Sequence, residues 1–154
     1  MAAIATVDDW TTRAAEADVP RQAFVDGAYV DALDGSTFAC VSPIGGRVLA
    51  EVASCGPADV DRAVAGARAA FQSGAWATAA PKERKRVLLR LAELIREHAD
   101  ELGLLETLDM GKPIGEARGT DVRLAAECIQ YYGEAVDKVY DEIAPTGRDA
   151  VAMI

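Results

Sequence analysis

The sequence is poor in the residues that most often carry chemistry. Its 154 residues include one histidine and three cysteines, so a histidine-based metal cluster or acid–base pair has no raw material. The cysteines, Cys40, Cys55 and Cys128, are odd in number and show no Cys-x-x-Cys spacing. That argues against a fully paired disulfide framework and against a zinc ribbon. No apolar run approaches the roughly 20 residues that a membrane-spanning helix needs. The opening MAAIATVDDWTTRAAEADVP has Asp8 and Asp9 where a secretory leader would be apolar, and no basic segment precedes them. No Gly-x-Gly-x-x-Gly fingerprint occurs. Positive charge is in deficit as well, with 16 Lys and Arg against 25 Asp and Glu and a net charge of −9. Such a field repels nucleic acid and anionic membranes. The expectation is a cytoplasmic protein with reduced thiols and with neither nucleic acid nor membrane as partner.

What is present fits a folded domain. Apolar residues make up 51% and charged residues 27%, a globular composition, and a chain of this size buries roughly 68–70% of its unfolded surface. The first twenty residues are rich in Ala and Asp, and are expected to form a short, loosely attached helix. After Pro20 the pattern has period two. Phe24-Val25, the pair Asp26-Gly27 and Ala28-Tyr29-Val30 read as a hairpin. Asp34-Gly35 marks a second turn. Phe38 to Val41 and Val48 to Val52, joined through Ser42-Pro43 and Gly45-Gly46, form a second antiparallel pair, so the N-terminal third reads as a β-meander.

Four helices follow. Pro57 and Pro81 each suit a first helical position. The first helix carries Val60, Ala63, Val64, Ala67, Ala70 and Phe71 on one stripe. The second carries Val87, Leu88, Leu91, Leu94 and Ile95, with Lys82, Arg84, Lys85, Arg86 and Arg90 elsewhere. The third has Leu102, Leu105 and Leu108 and stops at Gly111. The fourth, from about 117 to 139, has Val122, Ala125, Ile129, Tyr132, Val136 and Val139 on one row. A second apolar row of Leu124, Cys128, Tyr131 and Ala135 runs beside it, the mark of a helix covered on two sides. The sequence ends VAMI, an apolar run in mid-strand, and an exposed strand end of this kind is an aggregation hazard. Both features lead to the expectation that the chain is incomplete.

Gly111-Lys112 invites a phosphate-loop reading, but a Walker loop needs Gly-x-x-x-x-Gly-Lys followed by Ser or Thr, between strand and helix. Here Pro113 stands at the hydroxyl position and a helix precedes. Gly-x-Pro after a helix is a stop signal, and Lys112 is expected to be exposed. The run Lys82-Glu83-Arg84-Lys85-Arg86 is interrupted by an acid and reads as a solvated helix face. His98 reads as a surface residue, and the three cysteines read as small packing residues. Asp109 is the oddity: a carboxylate at a helix C-terminus is disfavoured by the dipole unless a cation or donor answers it.

The ordered motifs FVDGAYV, CVSP, VDRAVAGARAAF, PKERKRVLLRLAELIREHADEL, LLETLDMGKPIGEA and ECIQYYGEAVDKVY resemble the N-terminal part of the aldehyde dehydrogenase superfamily. The resemblance covers residues 21–154, and the tail from Tyr131 looks similar to the branch acting on γ-glutamyl-γ-aminobutyraldehyde and related amino-aldehydes. It implies an α/β fold, with the β-meander and four helices forming an incomplete part of the cofactor-binding domain over 21–139. Residues 1–20 would be an N-terminal extension and 140–154 the start of oligomerisation strands. It also implies oxidation of an aldehyde to a carboxylic acid with NAD or NADP, in a complete enzyme that is a homo-oligomer. The nucleophilic cysteine, the general base and the oxyanion-hole asparagine of the family lie in GQxC, ELGGK and PWN motifs, none of which occurs here. No catalytic or cofactor-binding residue is therefore assigned, and the chain alone is expected neither to bind the dinucleotide nor to turn over. By resemblance, Asp109 with the backbone carbonyl of Val41 matches a structural Na+ or K+ site, and Leu124 matches a position lining the aldehyde entrance tunnel.

Two other functions compete. The chain could be a non-catalytic module that docks onto a full-length aldehyde dehydrogenase subunit through its fourth helix and tail. It could also be an unrelated small α/β binding domain, against which the order of the motifs argues.

Overall fold

The computed structural model describes residues 6–140, 143–144 and 148–153. Residues 141–142, 145–147 and 154 of the expected oligomerisation strands lie outside the described residues. Helix α1 spans Val7–Glu16. Thr6 caps it: its hydroxyl accepts from the Asp9 amide at 3.3 Å, and the Asp9 carboxylate accepts from the Thr6 amide at 2.7 Å. Such a reciprocal box satisfies two amide donors that a helix start leaves orphaned. The helix is tied down rather than loose, because Arg13 pairs with Asp100 at 3.1 Å and Arg47 donates to the Ala14 carbonyl at 3.3 Å.

The antiparallel strands are present as two hairpins. Strands β1 (Ala23–Val25) and β2 (Ala28–Val30) pair with Phe24 opposite Tyr29. Asp26 and Gly27 take φ of 52° and 80°, the double left-handed geometry of the tight turn whose twist matches the strands. Strands β3 (Thr37–Val41) and β4 (Val48–Ala53) pair with Cys40 opposite Ala50, and a bulge falls between Cys40 and Val41. Among the described residues β2 and β3 do not share a ladder. The hairpins are instead joined by the Ala53 amide donating to the Arg21 carbonyl at 2.8 Å.

Helix α2 runs Pro57–Gln72, with Pro57 at its first turn as the sequence indicates. Asp59, 7% exposed, accepts from the amides of Gly56 at 2.9 Å and Leu33 at 3.0 Å, so one carboxylate caps the helix and fixes the loop after β2. The apolar stripe of α2 stays open: Val60, Val64 and Phe71 are 55%, 56% and 68% exposed. Periodicity marked that face correctly as apolar, but β1 covers only its start, where Ala63 is half-buried.

Helices α3 (Pro81–Glu97) and α4 (Ala99–Met110) follow. In α4 the buried residues are Gly103, Leu104 and Leu108, a face rotated from the expected Leu102, Leu105 and Leu108. The cause is a close neighbour. A Cβ on Gly103 would lie 2.8 Å from Cβ of Arg118, so the absent side chain sets the distance between α4 and the next segment. That segment restarts after Pro113 as α5 (Ile114–Glu116), continues as a π-helical stretch over Ala117–Val122, and becomes α6 over Arg123–Ala135. The wide turn is invisible to a 3.6-residue pattern. It also moves the buried row to Val122, Ala126 and Gly133, leaving Ala125 and Tyr132 exposed.

The centre of the helical layer is α3 against α6, which meet through small residues. Ala92, Ala117 and Ala126 have no exposed surface, and no large side chain among the described residues is fully buried. Around this seam part of the basic run is paired with acids, Arg86 with Glu83 and Lys85 with Asp137, and Arg90 pairs with Glu93 and Glu97, whereas Arg84 Nε is buried without a hydrogen-bond partner. The last strands, β5 (Ile143–Ala144) and β6 (Ala152–Met153), form a short antiparallel pair. Among the described residues no helix is long and apolar enough to cross a membrane.

Candidate functional site

Two places carry the residues singled out by the sequence. The first is the C-terminal end of α4. Gly111 closes the helix at φ 75°, its amide donating to the Thr107 carbonyl at 3.0 Å, and Asp109 sits in the final turn with its carboxylate toward the β3–β4 hairpin. There the Cys40 thiol donates to Asp109 Oδ1 at 3.5 Å. Burial, the hydrogen bond to Asp109 and the Asp109 charge all push the Cys40 thiol up. Cys40 therefore stays protonated, as a packing residue and weak donor rather than a nucleophile. The bulge beside Val41 displaces a backbone unit from the ladder, and bulges of this kind re-aim groups at strand ends.

Phe38, Leu49, Val52, Leu105 and Met110 line a groove of about 580 Å³ onto which Cys40 and Asp109 open. Among the described residues the one hydrogen bond to the Asp109 carboxylate is this thiol. No group of three or more His, Cys, Asp or Glu side chains that could hold a metal exists there.

Lys112, expected to be exposed, is half-buried and paired. Its Nζ donates to Glu106 at 3.4 Å and to Asp121, joining α4 to the π-helical stretch. The bond to Asp121 raises the Lys112 ammonium, and Lys112 in turn lowers the Asp121 carboxyl. The partners are six and nine residues away, across a turn and a π-helix. No spacing rule connects them.

The second place is the outer row of α6. Leu124 is 48% and Tyr131 67% exposed, with Cys128 exposed between them. The Tyr131 ring meets Tyr132 edge-on at 5.3 Å. The second apolar row is thus open from Leu124 to Tyr131, with Ala135 half-buried at its end, and Leu124 lies on it as the sequence indicates. The π-helical stretch immediately before α6 sets the angle at which this row faces outward, and π-turns recur at functional positions. His98 lies on the surface, 3.2 Å from Glu101.

Antiparallel hairpins followed by packed helices, with a Gly-Lys-Pro helix stop and an open outer row on the last helix, define a mixed α/β class. The aldehyde dehydrogenase family matches residues 29–154, and the chain belongs to that family. It is 46% identical over 147 residues to aminoacetaldehyde dehydrogenase of Pseudomonas aeruginosa, covering 96% of this chain and 30% of that protein. It superposes on gamma-glutamyl-gamma-aminobutyraldehyde dehydrogenase from Burkholderia cenocepacia with a TM-score of 0.94 and 55% identity, over 97% of this chain and 30% of that one. The indole-3-acetaldehyde dehydrogenase of P. syringae in complex with NAD+ is matched with a TM-score of 0.94 and 48% identity, over 97% and 30% of the two chains. The chain thus spans about 30% of the length of these relatives.

Proposed function

We propose that this chain forms the N-terminal part of the cofactor-binding domain of an NAD(P)-dependent aldehyde dehydrogenase that oxidises an aldehyde, with an amino-aldehyde as the first substrate class to test. The observation that carries the reading is the match along nearly the whole chain to dehydrogenases of two such aldehydes. In this reading the complete enzyme is a cytoplasmic homo-oligomer, the dinucleotide supplies the hydride acceptor, and the residues described here position rather than react. Leu124 lines the aldehyde's path, and Asp109 with the Val41 carbonyl holds Na+ or K+. The 154-residue chain by itself is inactive, because it holds none of the motifs that carry the nucleophile and the base.

The test is nicotinamide reduction by the 154-residue chain with NAD+ or NADP+ and aminoacetaldehyde, γ-glutamyl-γ-aminobutyraldehyde or indole-3-acetaldehyde. No turnover above background is expected, and turnover with any of them overturns the inactivity. Joined in one chain to the remainder of a relative, the same residues should support oxidation; a well-folded chimera that binds NAD+ yet oxidises none of the three aldehydes overturns the assignment. In that chimera Asp109→Ala should abolish the difference in thermal stability between sodium, potassium and a large organic cation. A retained difference removes the ion from Asp109.

A further inference from the structure

Helix α1 is joined to the rest of the chain by charge more than by packing. Val7 at its start is 80% exposed. Along one side runs a groove of about 540 Å³ lined by Trp10, Ile44, Leu104, Leu108 and Pro113. Along the other lies a second space of about 230 Å³ bounded by Arg13, Glu16, Leu104 and Leu105. Leu104 borders both, so α1 crosses α4 over one leucine with a gap on either side.

What holds α1 there is a small set of polar contacts. The Arg13 guanidinium lies 4.3 Å from the centre of the Trp10 ring and pairs with Asp100 at 3.1 Å, both side chains being about 40% exposed. Arg47 supplies the second tie through the Ala14 carbonyl. Beyond Glu16 the chain is non-helical over 17–22, with Ala17 extended at φ −62° and ψ 126° and Pro20 barring continuation of the helix.

We propose that α1 is a strap, hinged at residues 17–22, that closes the apolar groove between α4 and the β3–β4 turn and comes away as a unit when salt screens its charges. Three physical points support this. A half-exposed ion pair is open to screening, whose length falls from about 10 Å at 0.1 M salt to about 3 Å at 1 M. Asp100 keeps a second partner, Arg118 of the π-helical stretch, so departure of Arg13 leaves no unpaired carboxylate behind. A ten-residue helix is below the roughly 12–15 residues at which isolated helices become marginally stable, so α1 melts once it leaves. Release joins the two spaces and uncovers Leu104 and Leu108.

The experiment uses the 154-residue chain with Trp76→Phe, which leaves Trp10 as the single indole. Acrylamide quenching of Trp10 is followed against sodium chloride, alongside circular dichroism and thermal unfolding. Quenching should rise several-fold with salt while helicity falls only by the share of α1, and the remainder should still unfold cooperatively. Arg13→Gln should show the quenched state already at low salt. Arg118→Gln, which leaves the Arg13–Asp100 pair in place, should still require salt. Quenching that stays flat, that changes only together with global unfolding, or that is the same in Arg13→Gln as in the parent overturns the strap.

Discussion

Gly111 shows what a single residue decides. Its φ of 75° lies in the left-handed region, and a Cβ there would come within 2.9 Å of Cγ of Pro43. The backbone conformation alone costs an L-residue about 1–2 kcal/mol, and the rigid proline ring cannot swing aside. Gly111→Ala should therefore lower the stability of the chain by about 2 kcal/mol or more, read as the shift in urea midpoint. Gly45→Ala in the neighbouring turn, where a Cβ meets nothing within 4 Å, should shift it by a few tenths at most. Equal effects would mean that the α4 terminus is not held against the β3–β4 turn. Gly-x-Pro announced the helix end, but nothing in the chain announced Pro43 as its neighbour. Asp109 follows the same logic: its awkward position at a helix end was legible, whereas the Cys40 thiol beside it, 69 residues away in sequence, was not.

At the scale of elements, the ties between helices are ionic as well as apolar. Asp137, just past α6, accepts from Lys85 of α3 and from Lys138, both at 2.9 Å. The Lys85 hydrogen bond first, then that of Lys138, lowers its carboxyl from 3.8 to about 2. A carboxyl depressed in the folded state stabilises it fully above the unfolded value and loses that contribution as pH falls through the folded value. The α3–α6 tie should therefore weaken between about pH 4 and pH 2. Asp137→Asn should flatten the pH dependence of stability in that window and leave it unchanged near neutrality apart from a constant offset. A parent-like slope in the variant would show that other carboxylates govern acid unfolding. The helices, the Asp26-Gly27 turn and the proline helix starts were readable from local chemistry. The π-helical turn over Ala117–Val122 was not, because a 3.6-residue pattern carries no mark of a wide turn, and nothing in the string places Arg118 against Gly103 of α4.

For the molecule as a whole, the notable quantity is apolar surface left in water. Phe24, Tyr29, Val60, Val64, Phe71, Leu124 and Tyr131 are each more than 45% exposed, far more than scattered single residues on an ordinary surface. The 154-residue chain should bind a hydrophobic dye and show concentration-dependent sedimentation despite its net charge of −9. Glu substitutions at Val64 and Tyr131 should reduce both signals. A dye-silent monomer at all concentrations would mean that these faces rearrange to cover one another.

The sequence by itself determined the class of the protein, because turn chemistry, helix stops and the order of motifs are local properties that survive in a one-dimensional string. It also determined which faces are apolar. Only the tertiary structure decided which of those faces are covered, since burial depends on what other elements lie opposite. It likewise placed Cys40 at Asp109, put Lys112 between Glu106 and Asp121, and tied α1 down through Asp100. Each of those contacts joins residues whose separation follows no helical or strand period, and folding alone brings them within bonding distance.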